Sequence, residues 1–171
     1  IPFFMKKRLL PALLLLFALS TSGQSLLYTV NLYDREDDLF KVTLDVSGLQ
    51  KSNDIYQFAA TAPGTYEVMD IGRYVRSFKA FDKKGNEIAV EKISENQFRL
   101  SSPKKVARIT YTMAETSHTP VPDNPIYRMC GSSIEKDHVL INGQCVFGYP
   151  NGMQSTAIDV QIAYPAGWEV G

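Results

Sequence analysis

The sequence predicts an all-β fold, either an antiparallel β-sandwich or a twisted open pair of sheets, with one short helical turn. Three observations lead there. Apolar and polar residues alternate with a period of two in several short runs. Turn residues separate those runs at short intervals. Apolar residues follow a helical spacing in one brief stretch only, and such a pattern belongs to sheet-on-sheet architectures.

Taken in order, Leu27 to Leu32 reads as a first strand that ends in a charged turn, Asp34-Arg35-Glu36-Asp37-Asp38. Phe40, Val42, Leu44 and Val46 then alternate with Lys41, Thr43 and Asp45, the signature of a half-buried strand. Ile55 to Ala60 is another strand, running into Ala62-Pro63-Gly64. Val68, Ile71 and Val75 fit one helical face and predict a single turn of helix. Phe78 to Phe81 returns to strand, and Asp82-Lys83-Lys84-Gly85-Asn86 predicts a hairpin turn with Gly85 at positive φ. Ile88 to Val90, Gln97 to Leu100 and Val106 to Met113 continue a meander. Thr116 to Pro125 carries three prolines and cannot hold a ladder, so it reads as a long loop. Val139 to Ile141, an Asn142-Gly143 turn, a strand over Val146 to Tyr149, and a last strand through Ile158, Val160 and Ile162 complete the expectation.

The first residues read as processing sequence rather than fold. Ile1 to Phe4 precede the first Met and resemble upstream or cloning residues. Met5-Lys6-Lys7-Arg8, the apolar run Leu9 to Leu19 and the small residues up to Gly23 make a signal peptide over 5–23, with cleavage expected after Gly23. The domain then spans 24–171, and the abrupt stop at Gly171 reads as a cut before a further domain. Export to a bacterial periplasm or the cell exterior follows from the leader, with no stable membrane span once it is removed. Without Lys6, Lys7 and Arg8 the 18 basic residues fall to 15 against 18 acidic ones, a net charge of −3. That balance offers no footprint for nucleic acid.

Little in the chain carries chemistry. Cys130 and Cys145 either close a disulfide loop of about 16 residues, worth roughly 3 kcal/mol, or stand as two free thiols. With only two cysteines and two histidines, His118 and His138, no metal-ligand spacing arises. The Asp34–Asp38 run does not match a calcium loop and reads as a solvated turn. Trp168 reads as packing at a strand end rather than as a sugar platform. No catalytic residue and no resident metal are expected.

One stretch is more specific. Tyr56 to Tyr66, containing Ala62-Pro63-Gly64-Thr65-Tyr66, followed by Asp70, Arg73, Tyr74 and Val75 and the Gly85 hairpin, resembles the N-terminal domain of the glycyl aminopeptidase family of PDZ-containing zinc metallopeptidases. The resemblance continues through Tyr111, Ile141-Asn142-Gly143, Val146-Phe147-Gly148-Tyr149 and Tyr164-Pro165-Ala166-Gly167-Trp168. Thr65, Met69 and Ile71 depart from the family's usual Ser, basic and aromatic residues. The resemblance implies a β-domain that precedes a thermolysin-like catalytic domain and a PDZ domain. Zinc, bound there by a His-Glu-x-x-His helix and a later Glu, belongs to that catalytic domain, and peptide is its substrate. None of those ligands is present in this chain.

Pro63, Gly64, Thr65, Tyr66, Asp70 and Arg73 are therefore the candidates for a substrate cleft or a domain interface. Pro63-Gly64 forces a sharp turn at a strand end, where binding groups often sit. Asp70 and Arg73 lie three apart on the expected helical turn, close enough to pair. The competing expectation is that Tyr66, Asp70 and Arg73 merely tie the loop down. An independent periplasmic module that binds glycan or peptide is the alternative for the whole chain.

Overall fold

The computed structural model describes residues 23–65 and 67–171. The upstream residues 1–4, the expected leader as far as residue 22 and the candidate Tyr66 lie outside the described residues.

Among the described residues twelve strands follow in order: β1 (Ser25–Asn31), β2 (Leu39–Ser47), β3 (Ile55–Gln57), β4 (Val75–Asp82), β5 (Glu87–Ile88) and β6 (Val90–Lys92), then β7 (Gln97–Leu100), β8 (Val106–Ala114), β9 (Ser133–Ile134), β10 (Val139–Leu140), β11 (Tyr149–Pro150) and β12 (Ile158–Ala163). A six-stranded sheet runs β12-β1-β2-β8-β4-β5, and a four-stranded sheet runs β11-β3-β7-β6. β9 and β10 form a small ribbon. The all-β expectation holds. One pairing is parallel, β1 with β12, so the larger sheet is mixed rather than wholly antiparallel.

The alternation read from the sequence is what joins the layers. Leu26, Tyr28 and Val30 of β1 point to the same side as Phe40, Val42, Leu44 and Val46 of β2, and all are buried. The opposite side of this sheet carries Thr29, Thr43, Thr110 and Lys79 in one cross-strand row. The two sheets meet through aromatic rings. Phe78 on β4 stacks on Phe98 of β7 at 4.4 Å, and Tyr56 on β3 lies 5.1 Å from Phe78 and 6.0 Å from Tyr111 of β8. Offset and edge-on aromatic pairs of this kind add to the area they bury.

Two local expectations change. The helical turn is a 3-10 turn over Ile71–Tyr74, shorter than the Val68–Val75 spacing implied. Val68 is exposed and Val75 already belongs to β4. The strand expected over Val146 to Tyr149 is instead a short helix, α1 (Gly143–Val146), followed by β11. Its four residues are too few to show a helical period. The Phe147 N–H closes it onto the Gly143 carbonyl at 2.9 Å, and the Tyr111 hydroxyl donates to the Val146 carbonyl at 2.9 Å. The hairpin at Asp82 forms as expected. Asp82 Oδ1 accepts from the Lys84 and Asn86 amides, and Gly85 takes φ +84°.

Candidate functional site

The chain leaves β3, makes an excursion through Pro63 and Gly64, and returns to the same place. The Ala60 carbonyl accepts from the amides of Met69 and Asp70 at 2.8 and 3.1 Å, and the Ala59 carbonyl accepts from Ile71 at 3.0 Å. These bonds bring Met69, Asp70 and Ile71 back beside Ala59 and Ala60. Thr65, buried, donates its hydroxyl to the Ala62 carbonyl at 2.7 Å, and its amide donates to the same oxygen at 3.2 Å. Its hydroxyl is therefore spent on the turn. Pro63 and Gly64 form the exposed tip, with Gly64 at φ +88° and open space around it.

Asp70 and Arg73 do not pair. Asp70 sits in the left-handed region at φ 42°, and its Oδ1 accepts from Asn96 Nδ2 at 2.7 Å. Asn96 Oδ1 in turn accepts from the Gly72 amide at 2.9 Å. The Asp70 carboxylate is thus engaged by Asn96, not by Arg73 three residues on. The Arg73 guanidinium reaches across 50 residues instead. It donates to the carbonyls of Asp123 and Asn124, each at 2.5 Å, and so clamps the proline-rich loop. It also lies over the Tyr74 ring, 5.4 Å from the centroid.

Beside this clamp lies a cluster that sequence patterns do not mark. Glu115, at 2% exposure, accepts from the amides of Ser117 and His118 at 2.8 and 2.7 Å. His118 Nδ1 is 3.5 Å from Glu115 and 3.7 Å from Glu135. Ser132, fully buried, donates its amide to Thr116 Oγ1 at 2.7 Å and accepts at Oγ from the Asn142 amide at 2.8 Å. Cys145 on α1 donates its thiol to the Cys130 carbonyl at 3.1 Å, and both cysteines are free thiols here. Burial pushes the Cys145 thiol up from 9.0 to about 12. Among the described residues, three buried side-chain atoms stand without a hydrogen-bond partner: Glu67 Oε1, Arg73 Nε and Tyr74 Oη. Burial is also the main cause of the raised Tyr74 hydroxyl pKa. Val68, Tyr127 and Met129 of these same segments are exposed. The site thus combines a 61–73 loop, a clamped 115–130 segment and α1 at one end of the sandwich.

Among the described residues no group of three His, Cys, Asp or Glu side chains is placed to bind a metal ion. His138 lies beside Asp137 at 2.9 Å, both exposed. The described residues therefore do not fit a zinc site. Asp34 pairs with Lys41 rather than standing in an acidic ligand set, and Trp168 packs under Arg35 at 4.7 Å. Among the described residues no helix is long and apolar enough to cross a membrane.

Two facing sheets, with irregular loops gathered at one end and, among the described residues, a single α-helical turn, define the class: a β-sandwich domain. The family described as Peptidase M61 N-terminal domain matches residues 27–171, and the chain belongs to that family. Among solved structures, an aminopeptidase N family protein from Idiomarina loihiensis is similar, with a TM-score of 0.68 and 15% identity. The match covers 82% of this chain and 22% of that one, so this chain spans about a fifth of that structure's length. At that identity the likeness is one of fold. No curated protein matches the chain.

Proposed function

We propose that this chain is the non-catalytic N-terminal domain of an exported zinc metallopeptidase of aminopeptidase type. It packs on a catalytic domain and helps to wall its cleft, with the 61–73 loop end facing the peptide. The observation that carries this reading is the family match over residues 27–171. Zinc and the His-Glu-x-x-His helix belong to the catalytic domain, where the metal would activate water for attack on the peptide bond. A PDZ domain follows in the same architecture. Here Arg73, Asp70 and Asn96 hold the loop end in one shape against that partner, and Thr65 fixes its turn.

The complete gene product tests this. It should contain one zinc per chain by elemental analysis and hydrolyse aminoacyl-peptide substrates in a chelator-sensitive way. The 171-residue chain should do neither. A reading frame with no His-Glu-x-x-His in the couple of hundred residues after Gly171 would sink the proposal, as would metal-dependent turnover by the isolated chain.

A further inference from the structure

The last strand presents a contradiction in burial. In a parallel pair, residues placed opposite each other point to the same face of the sheet. Ile158, Val160 and Ile162 lie opposite Leu26, Tyr28 and Val30, whose side chains fill the core. They therefore stand on the core side of the sheet. Yet Ile158 is 49% exposed and Val160 41% exposed. The four-stranded sheet stops short of them. β1 is covered by α1 and the residues after it, with Phe147 5.0 Å from Tyr28; on β12 Ile162 is partly buried against the core, but Ile158 and Val160 stay open among the described residues. The strand is also the outer edge of its sheet, paired within the described residues to β1 alone.

The uncovered face runs into two shallow grooves. One joins Ile158 to Phe147 and Met153, and the other joins Ile162 to Leu140, Tyr164 and Trp168. Leu140 and Val170 along it are exposed as well. Exposed apolar side chains on a core-facing side of a sheet are the kind of surface that an interface covers.

We propose that the core side of β12, with the grooves on either side, is the seat of the catalytic domain carried by the same polypeptide. This rests on the function proposed above. Two observations select that occupant. The family is an N-terminal domain by definition, and the similar solved chain is several times longer than this one. The Tyr164–Gly171 segment itself lines the second groove, so a domain joined after Gly171 starts beside the face it would cover. α1 lies between this face and the loop end, which lets one partner touch both.

Val160→Glu places a charge on the core side of the strand, and Gln161→Glu places one on its opposite face as a control. In the complete polypeptide, Val160→Glu should lower the melting temperature by several degrees while Gln161→Glu leaves it unchanged. In the 171-residue chain neither should matter, since Val160 is open among the described residues. Hydroxyl-radical footprinting of the unaltered proteins gives a second measurement: oxidation of Ile158 and Val160 should be strong in the short chain and lost in the complete one. Equal oxidation in both, or equal loss of stability in both, overturns the proposal. So does a short chain that sediments as a dimer and becomes a monomer with Val160→Glu, because the face then belongs to a second copy. A zinc-loaded, active polypeptide in which Ile158 and Val160 stay oxidisable overturns the docking face alone. Protection of β12 in a polypeptide without zinc or peptidase activity overturns the peptidase reading alone.

Discussion

The Tyr28 hydroxyl on β1 donates to the Gly148 carbonyl at 2.5 Å, joining the first strand to the turn after α1 across 120 residues of sequence. Burial raises the Tyr28 pKa from 10.0 to about 12, so the group stays a donor at any physiological pH. Gly148 can take this place because it has no side chain. A Cβ there would lie 2.5 Å from the Gln57 carbonyl oxygen, 2.6 Å from Tyr56 and 3.0 Å from Phe58.

Gly148→Ala should therefore destabilise the domain by at least about 1–3 kcal/mol, the usual cost of overpacking a core. Tyr28→Phe should cost about 1–3 kcal/mol, because it leaves a buried carbonyl without its donor. Urea unfolding followed by tryptophan fluorescence measures both. A loss below a few tenths of a kcal/mol in either would mean that the contact is absent in solution.

A second close approach lies at the 3-10 turn. A Cβ on Gly72 would sit 2.0 Å from the Glu95 carbonyl oxygen and 2.7 Å from Asn96 Cα, both backbone atoms that cannot step aside cheaply. Gly72→Ala should cost more than the about 1–3 kcal/mol of ordinary overpacking. Gly143→Ala is the contrast. Its Cβ would meet only Phe147 at 3.8 Å, and it opens α1, so the change should be neutral or stabilising by up to about 1 kcal/mol. Denaturant midpoints for the two variants should move in different directions or by very different amounts.

What is legible in the sequence depends on how local its cause is. β2 and β8 can be read because one face is buried along their length, and period two then appears in the residues themselves. β12 shows the limit of that signal. Its alternation marks which face Ile158 and Val160 occupy, but whether anything covers that face is decided by the extent of another sheet. α1 leaves no trace because four residues hold barely one turn. At the candidate site, the Pro63-Gly64 turn follows from its residue types. The partners of Asp70 and Arg73 do not, since Asn96 is 26 residues from Asp70, and the Asp123 and Asn124 carbonyls are 50 and 51 residues from Arg73.

Arg73 supplies the test that separates anchoring from substrate contact. Its two terminal nitrogens each reach a different carbonyl, a geometry that a single ammonium cannot copy. Arg73→Ala and Arg73→Lys should both lower stability, by about 1–2 kcal/mol after allowing for the exposure of these bonds. Both should also speed proteolytic nicking between Thr116 and Pro125. If stability and nicking stay unchanged in the complete enzyme while KM for peptide rises, Arg73 belongs to the cleft instead.

The last prediction concerns alkaline pH under reducing conditions. Burial raises the Cys145 thiol from 9.0 to about 12 and the Tyr28 hydroxyl from 10.0 to about 12. Both groups are neutral when protonated, and the fold favours that form. Between the ordinary values and about 12 the folded chain holds protons that the unfolded chain has released. Stability then falls as pH rises, because the unfolded state binds fewer protons. The contribution is complete below about pH 8.5 and declines through the interval above it, with each group adding a slope of at most about 1.4 kcal/mol per pH unit. Urea unfolding with reductant present should give a constant stability between neutral pH and about pH 8.5, then a steady decline. Cys145→Ala should flatten the first part of that decline, near about pH 9 to 10, while Tyr28, together with Tyr56, Tyr74 and Tyr111, whose hydroxyls burial also raises, governs the upper part. The same burial should leave Cys145 slow toward iodoacetamide at neutral pH, with Cys130, which is partly exposed, alkylated first. A Cys145 that alkylates as fast as Cys130 in the folded protein, or a pH profile unchanged by Cys145→Ala, would show that the thiol is not held in the apolar site beside Cys130.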